Sequence, residues 1–228
     1  MDPIQHILSV KQFNLPRITR LFTRVREMRG IVKRGQCSIL GNRVMASLFY
    51  EPSTRTRLSF EAAMHRLGGS VVGTEAAEEF SSVTKGESLE DTVRVIGGYV
   101  HVIVLRHHEQ GAAARAAAVS QVPIVNAGDG TGEHPTQALL DLYTIVDELG
   151  DPSPLHVAFV GDLKHGRTVH SLARLLARWD TRMSFVSPDA LRLPDALFQE
   201  LVGAGCSARE YSMLDEVVDV ADVIYLTR

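Results

Sequence analysis

Apolar residues along the chain switch repeatedly between a helical and an extended period. From Asn14 to Gly35, Ile18, Leu21, Phe22, Val25, Met28 and Val32 recur three to four apart. That spacing predicts an amphipathic helix, with Pro16 suited to its first turn and Gly35 to its stop. Val44–Tyr50 (VMASLFY) is a mostly apolar run of strand length. Ser53–Leu67 returns to a helical period, with Leu58, Ala62 and Leu67 on one face, and Gly68-Gly69 closes it before a short strand from Ser70. Glu75–Glu87 has no period and reads as a loop. The rest of the first half predicts a helix over 88–100, a strand over 102–105, a helix over 112–119, a strand over 122–125 and a helix over 135–149. Ser88 with Asp91 resembles a capping box, and Pro135 suits a helix start.

After Gly150–Pro154 (GDPSP), a linker by its Gly and Pro, the alternation resumes. Strands are expected over 157–160, 183–186 and 223–226, and helices over 168–179, 197–203 and 214–221. Strand-helix alternation of this kind predicts an α/β fold with parallel sheets covered by helices on both faces. Each half reads as a small wound sheet, which gives two domains, 1–149 and 150–228. Ligands of such sheets bind outside the carboxyl ends of strands, so the informative turns follow Tyr50, Leu105, Val125, Val160 and Leu226.

Composition narrows the class without naming a function. Of 228 residues, 45% are hydrophobic, enough for real cores, and the net charge of −3 leaves no global basic footprint for nucleic acid. Cys37 and Cys206 are far apart and in no metal spacing, which favours a reducing compartment over a disulfide framework. No run approaches the roughly 18 apolar residues of a membrane span, and the N-terminus does not read as a signal peptide. A cytoplasmic location is the expectation.

The chemistry gathers at the turns. Glu51-Pro52-Ser53-Thr54-Arg55-Thr56-Arg57 opens a helix after the first strand. A helix N-terminus offers unpaired amides and partial positive charge; with three hydroxyls and two guanidiniums it makes a dianion site. Capping and solvent exposure would explain any one of these residues, but less readily all of them in a row. Arg106-His107-His108 follows the next strand; Gly128, Gly130, Gly132, His134, Thr136 and Gln137 follow PIVN; Arg167 closes the GDLKHGR turn; Thr227-Arg228 follows the last strand. Cations thus collect at strand ends of a slightly acidic protein, which points to a pocket for small, multiply charged anions. There is no GxxxxGK[ST] loop, and the glycines around Gly130 lack GxGxxG spacing. Neither a metal cluster nor a Gly-x-Ser-x-Gly elbow is present in the sequence.

With STRTR, HPTQALLD and GDLKHGRTVHSLA in view, the chain resembles the aspartate carbamoyltransferases over essentially its whole length. STRT is shared by carbamoyltransferases generally. The ornithine enzymes usually carry HPCQ in place of His134-Pro135-Thr136-Gln137 and lack the GDLKHGRTVHS stretch. The resemblance implies two α/β domains with the active site in the cleft between them, assembled as a homotrimer with sites shared between subunits. It implies carbamoyl phosphate and aspartate as substrates, a place in pyrimidine biosynthesis, and no cofactor or metal. By matching motif, Ser53, Thr54, Arg55 and Thr56 hold the phosphate. Thr56, Arg106 and His134 contact the carbamoyl oxygen, and Gln137 the carbamoyl nitrogen. Ser81 and Lys85 reach a neighbouring subunit's site, where Lys85 also serves aspartate. Arg167 and Arg228 grip the aspartate carboxylates. Arg55, Thr56, Lys85, Arg106 and His134 form the catalytic set. Regulatory chains or fused pathway enzymes accompany some members.

Family members continue past the position of Arg228, through a QxER segment, a Pro-Leu-Pro turn and a C-terminal helix. The expectation is a second domain incomplete at its C-terminus and slow turnover for a form that stops there. Two alternatives stand beside the leading one: a carbamoyltransferase for another amine such as ornithine, and an assembly partner that keeps only a phosphate half-site.

Overall fold

The structure is a computed structural model that describes residues 6–35, 37–75 and 86–227, with only the backbone of Glu75. The loop expected over 75–87 therefore lies mostly outside the described residues, although Glu75 itself ends a strand. The described chain divides into two compact units. One comprises residues up to Gln12 with Pro16–Glu133; the other comprises Phe13–Leu15 with His134 onward. Each is an α/β unit built on its own four-stranded parallel sheet.

The first unit runs α1 (Leu15–Arg34), β1 (Val44–Phe49), α2 (Thr54–Arg66), β2 (Ser70–Glu75), α3 (Leu89–Gly97), β3 (Val102–His107), α4 (Ala112–Val119) and β4 (Ile124–Asp129). Its sheet order is β2-β1-β3-β4. Residue alternation sorts the strands between two helical layers. Met45, Phe49, Val104 and Ala127 pack with Met64 of α2 on one face. Ala46, Leu48, Ile103, Leu105 and Ile124 pack with Leu89 and Val93 of α3 and Ala112, Ala113 and Ala116 of α4 on the other. Strands buried on both faces need the continuous apolar runs that the sequence carries. The N-terminal segment extends this sheet, since Ile7 bridges Val125 in parallel.

Two expected helical faces are corrected. In α1 the buried residues are Ile18, Phe22 and Ile31, while Val32 is half exposed. In α2 the sheet-facing side is Phe60 and Met64, one turn apart, and Leu58 is exposed. Spacing alone allowed either stripe; the bulkier pair reaches Met45 and Phe49. Met64 is the only described α2 residue that is fully buried, and it sits in the second half of the helix. One such side chain is worth roughly 2 kcal/mol of transfer energy, so packing holds α2 by its far end and leaves its first turn to other uses.

The second unit runs α5 (Pro135–Leu149), β5 (His156–Val160), α6 (Arg167–Leu176), β6 (Arg182–Val186), α7 (Asp195–Gly203), β7 (Ser207–Tyr211) and β8 (Val223–Leu226). Its sheet order is β7-β6-β5-β8. α6 buries Val169, Leu172, Ala173, Leu175 and Leu176 completely. Phe159 and Phe185 stack at 5.3 Å between ring centres, with Tyr225 5.6 Å from Phe159. β7 was not expected from its sequence, because Ser-Ala-Arg-Glu-Tyr is a polar edge strand with no apolar run. The helix expected over 214–221 is instead one short 3-10 turn, Leu214–Glu216, followed by further turns. Val217 alone of that stretch is fully buried, with Leu214 and Ala221 partly buried against the same cluster, so the apolar spacing that suggested a helix is present while the backbone forms turns.

Candidate active site

In a wound sheet the natural crevice lies where successive connections leave in opposite directions. In the first unit β1 has β2 on one side and β3 on the other. The crevice therefore opens at the carboxyl ends of β1 and β3, where Ser53–Arg57 and Arg106 are attached.

Ser53 is the residue before α2, with extended φ of −162° and ψ of 89°, and its side chain makes no capping bond. The first intrahelical bond runs from Arg57 N to Ser53 O at 3.0 Å. The amides of Thr54, Arg55 and Thr56 therefore have no intrahelical carbonyl, and the Ser53 hydroxyl does not take their place. Thr54 and Arg55 are exposed and Thr56 is half-buried. Arg57 turns back along the helix toward Glu61, 3.6 Å away.

Arg106 is buried at the end of β3. Its Nη1 donates to the Ala127 carbonyl at 3.2 Å, and its Nη2 forms an ion pair with Glu51. The Tyr50 amide donates to the Arg106 carbonyl at 2.8 Å. A buried guanidinium is costly unless held in this way. Glu51 is a residue that motif reading missed: it precedes the hydroxyl run and its partner lies 55 positions away.

The loop after β4 is shaped by a polar network. Asp129, buried, accepts from the Glu133 amide at 2.9 Å, the Gly111 amide at 2.9 Å and Asn126 Nδ2 at 3.2 Å. Glu133 in turn accepts from the Ser9 hydroxyl at 2.7 Å and the Val10 amide at 2.8 Å. Gly130, at φ +54°, lies so close to this neighbourhood that a Cβ would sit 2.3 Å from the His108 carbonyl. Asn126 and Glu133 lie within four residues of Asp129, but Gly111, Ser9 and Val10 come from distant segments, and that part of the network was not legible beforehand.

In the second unit His134 is the residue before α5, as its position ahead of Pro135 suggested. It is buried, and its Nδ1 accepts from the Gln137 amide at 3.4 Å. In the neutral ring this places the proton on Nε2, which is then a donor. Gln137 lies in the first turn, and its Nε2 donates to Asp141 at 2.8 Å. Asp141 also accepts from the Tyr225 hydroxyl at 2.9 Å. Burial pushes the Asp141 carboxyl above its ordinary range, opposed by the bonds from Gln137 and Tyr225. Burial pushes the Tyr225 phenol up to about 12.

The switch point of the second sheet falls between β5 and β8. There Thr227 N donates to the Val160 carbonyl at 2.8 Å. Gly161 has φ +119°, and a Cβ on it would lie 1.9 Å from the Thr227 carbonyl oxygen. Asp162 accepts from the His165 amide at 3.0 Å, and His170 bonds the Leu163 carbonyl at 2.7 Å. Arg167 is the first residue of α6, half-buried. Ser81, Lys85 and Arg228 lie outside the described residues. Of the other expected residues, the structure gathers Ser53, Thr54, Arg55, Thr56 and Arg106 at one switch point, and puts Arg167 at the other. His134 and Gln137 share the first turn of α5.

These features define a class: a two-unit wound α/β protein with anion-binding groups at its switch points. Residues 5–147 match the model of the aspartate/ornithine carbamoyltransferase carbamoyl-P binding domain, and residues 153–228 match that family's Asp/Orn binding domain. The chain belongs to the aspartate/ornithine carbamoyltransferase family. It is 52% identical to the chloroplastic aspartate carbamoyltransferase of Arabidopsis thaliana, across 99% of this chain and 58% of that protein. It is 48% identical to the aspartate carbamoyltransferase catalytic subunit of Methanocella arvoryzae, across 98% of this chain and 72% of that one. A crystal structure of aspartate transcarbamoylase from Trypanosoma cruzi, in complex with aspartate and phosphate, superposes with a TM-score of 0.92 at 44% identity, covering 98% of this chain and 74% of that one. The chain thus spans somewhat more than half the length of its plant relative. Among the described residues, no helix is long and apolar enough to cross a membrane.

Proposed function

We propose that the protein transfers the carbamoyl group of carbamoyl phosphate to the amine of L-aspartate, releasing N-carbamoyl-L-aspartate and phosphate, a step of pyrimidine biosynthesis. The observation that carries this reading is the open first turn of α2 beside the buried Arg106, in a chain of this family. The relatives described above support aspartate over ornithine as acceptor, as does the threonine in His134-Pro135-Thr136-Gln137.

The phosphate dianion is assigned to the amides of the first α2 turn with the side chains of Ser53, Thr54, Arg55 and Thr56. Carbamoyl phosphate and aspartate bring about four negative charges, which repel strongly in a dry site. Arg55, Arg106 and Arg167 offset them, together with Lys85 and Arg228. The deprotonated amine attacks the carbonyl carbon. As that carbon becomes tetrahedral its oxygen gains charge, which donors on Thr56, Arg106 and His134 Nε2 stabilise. Collapse breaks the carbon–oxygen bond to phosphate. The leaving phosphate, already held by cations, accepts the proton that the amine loses. Gln137 reads the carbamoyl nitrogen, and Arg167 and Arg228 take the aspartate carboxylates. Holding both reactants in one orientation removes a large entropic part of the barrier.

The remaining assignments belong to the same proposal. By function, residues 1–149 are assigned to carbamoyl phosphate and 150–228 to aspartate, a boundary that differs from the structural division, in which His134 and α5 belong to the second unit. The assembly is a homotrimer to which Ser81 and Lys85 contribute across subunits, and the location is cytoplasmic. The test is to incubate the purified protein with carbamoyl phosphate and aspartate, with ornithine as a parallel acceptor. Carbamoyl aspartate is expected. Carbamoylation of ornithine instead, or binding of phosphate alone without any of a phosphonate–aspartate bisubstrate mimic, would overturn the reading.

A further inference from the structure

Gln137 can meet a ligand with either end of its amide. One end donates and the other accepts, so the choice decides what the residue recognises. In this structure the choice is made by Asp141, one helical turn further along α5. The carboxylate accepts only, so it must face Nε2, and the bond of 2.8 Å follows. The second carboxylate oxygen accepts from the Tyr225 hydroxyl at 2.9 Å. Tyr225 comes from β8, about 80 residues on in sequence and within the same unit. The hydroxyl of Thr168, in the first turn of α6, stands beside the phenol. Asp141 is thus gripped from two elements and cannot swing away from Gln137 without losing a bond. Among the described residues nothing donates to Gln137 Oε1.

We propose that Asp141 is a positioning residue for acyl-group selection: it holds Gln137 with Oε1 presented as an acceptor, so that the site prefers an acyl phosphate bearing an N–H donor. This rests on the functional reading above, and deepens it by saying how a carbamoyl group is told from an acyl group of the same size. A methyl group replaces the amino group in acetyl phosphate, with nearly the same shape and the same phosphate. It cannot donate to Oε1. A neutral hydrogen bond in a partly buried site is worth a preference of about tenfold, which is the discrimination expected. Burial of the Asp141 charge costs energy, a cost that the isosteric Asp141→Asn change removes as it frees Gln137 to turn over.

The experiment measures binding of carbamoyl phosphate and of acetyl phosphate to the purified protein and its variants by calorimetry. The unaltered protein is expected to favour carbamoyl phosphate by about tenfold. In Asp141→Asn that preference should fall to near unity, through weaker carbamoyl phosphate binding with acetyl phosphate unchanged. Gln137→Ala should lose the same preference, and adding Asp141→Asn to it should change nothing further, because the aspartate acts through the glutamine. If Asp141→Asn does not fold, Tyr225→Phe carries the test, with a loss of about two- to threefold confined to carbamoyl phosphate. Equal weakening of both ligands would make Asp141 merely structural and overturn the proposal, as would a preference that survives Asp141→Asn or, in the fallback, Tyr225→Phe. An unaltered protein that binds both compounds alike would also overturn the proposal, whereas one that binds neither would overturn the functional reading beneath it.

Discussion

The turns after β1 and β5 occupy equivalent places, each at the switch point of its own sheet, yet they are built on different principles. After β1 the chain leaves a helix terminus open: Ser53 makes no cap, and α2 is anchored by Met64 far from its start. Order comes from side chains, through Glu51 and Arg106. After β5 the chain closes on itself. Gly161 packs against the Thr227 carbonyl, Asp162 takes the His165 amide, and His170 ties back to Leu163. The first turn keeps donors available for a ligand. The second uses main-chain contact to fix where Arg167 begins its helix. Serine at a helix start does not by itself mean either role: Ser88, before α3, closes its own terminus by accepting from the Asp91 amide at 3.1 Å.

The largest effect should come from forcing the closed turn open. Gly161→Ala places a methyl 1.9 Å from a main-chain oxygen and demands φ +119° of an alanine. Neither can be relieved by a side-chain rotation. A loss of roughly 3 kcal/mol or more is expected, read as an early unfolding transition in urea. A variant as stable as the parent would mean that this turn is looser than its contacts imply.

At the open turn the reverse signature is expected, with binding lost and stability kept. Arg55→Ala removes an exposed guanidinium that packs no core residue. Carbamoyl phosphate affinity should fall by about tenfold to a hundredfold, the range for a hydrogen bond to a charged group, with the melting temperature unmoved. Ser53→Ala should lower affinity by about tenfold, again without loss of stability, since there is no cap to lose. Ser88→Ala should do the opposite, losing about 1 kcal/mol of stability with its cap and leaving affinity alone. Calorimetric binding beside thermal melts for this serine pair decides the matter. If Ser53→Ala destabilises the fold as Ser88→Ala does, the two termini are alike and the contrast fails.

Much of this was legible in the sequence because the signals were local. The α/β alternation followed from apolar runs whose length matches strands buried on both sides, and His134 could be placed by the Pro135 behind it. Ser88 with Asp91 was readable for the same reason, a bond spanning three residues. What escaped was what depends on distant partners. Glu51 gains its meaning from Arg106, and Asp141 gains half of its meaning from Tyr225. The other half, the i,i+4 spacing from Gln137, was available on the helix and is the signal that could have exposed it. β7 was hidden because a polar edge strand leaves no apolar trace, and the face of α2 because two stripes fitted the same spacing.

The smallest effect concerns how the closed turn answers to acid. His170 is largely buried in α6, and burial holds its imidazole below the ordinary 6.5, only partly offset by its bond to the Leu163 carbonyl. A carbonyl only accepts, so the bonded nitrogen Nε2 carries the proton and the ring is neutral in the fold. Because the folded value is the lower one, the unfolded chain takes up the proton first. The contribution is therefore complete above pH 6.5 and is lost as pH falls through the depressed value. Asp162, in the same turn, is held low chiefly by the His165 amide, so its contribution fades only as pH falls below 3.8. The two windows do not overlap, and unfolding in urea between pH 7.5 and 5 reads the histidine without the aspartate. His170→Gln keeps a donor for Leu163 but cannot titrate, so it should show a shallower decline than the parent across that window. Equal slopes would mean that protonation of this ring leaves the turn unaffected, and that the closure after β5 rests on its glycine and main-chain contacts alone.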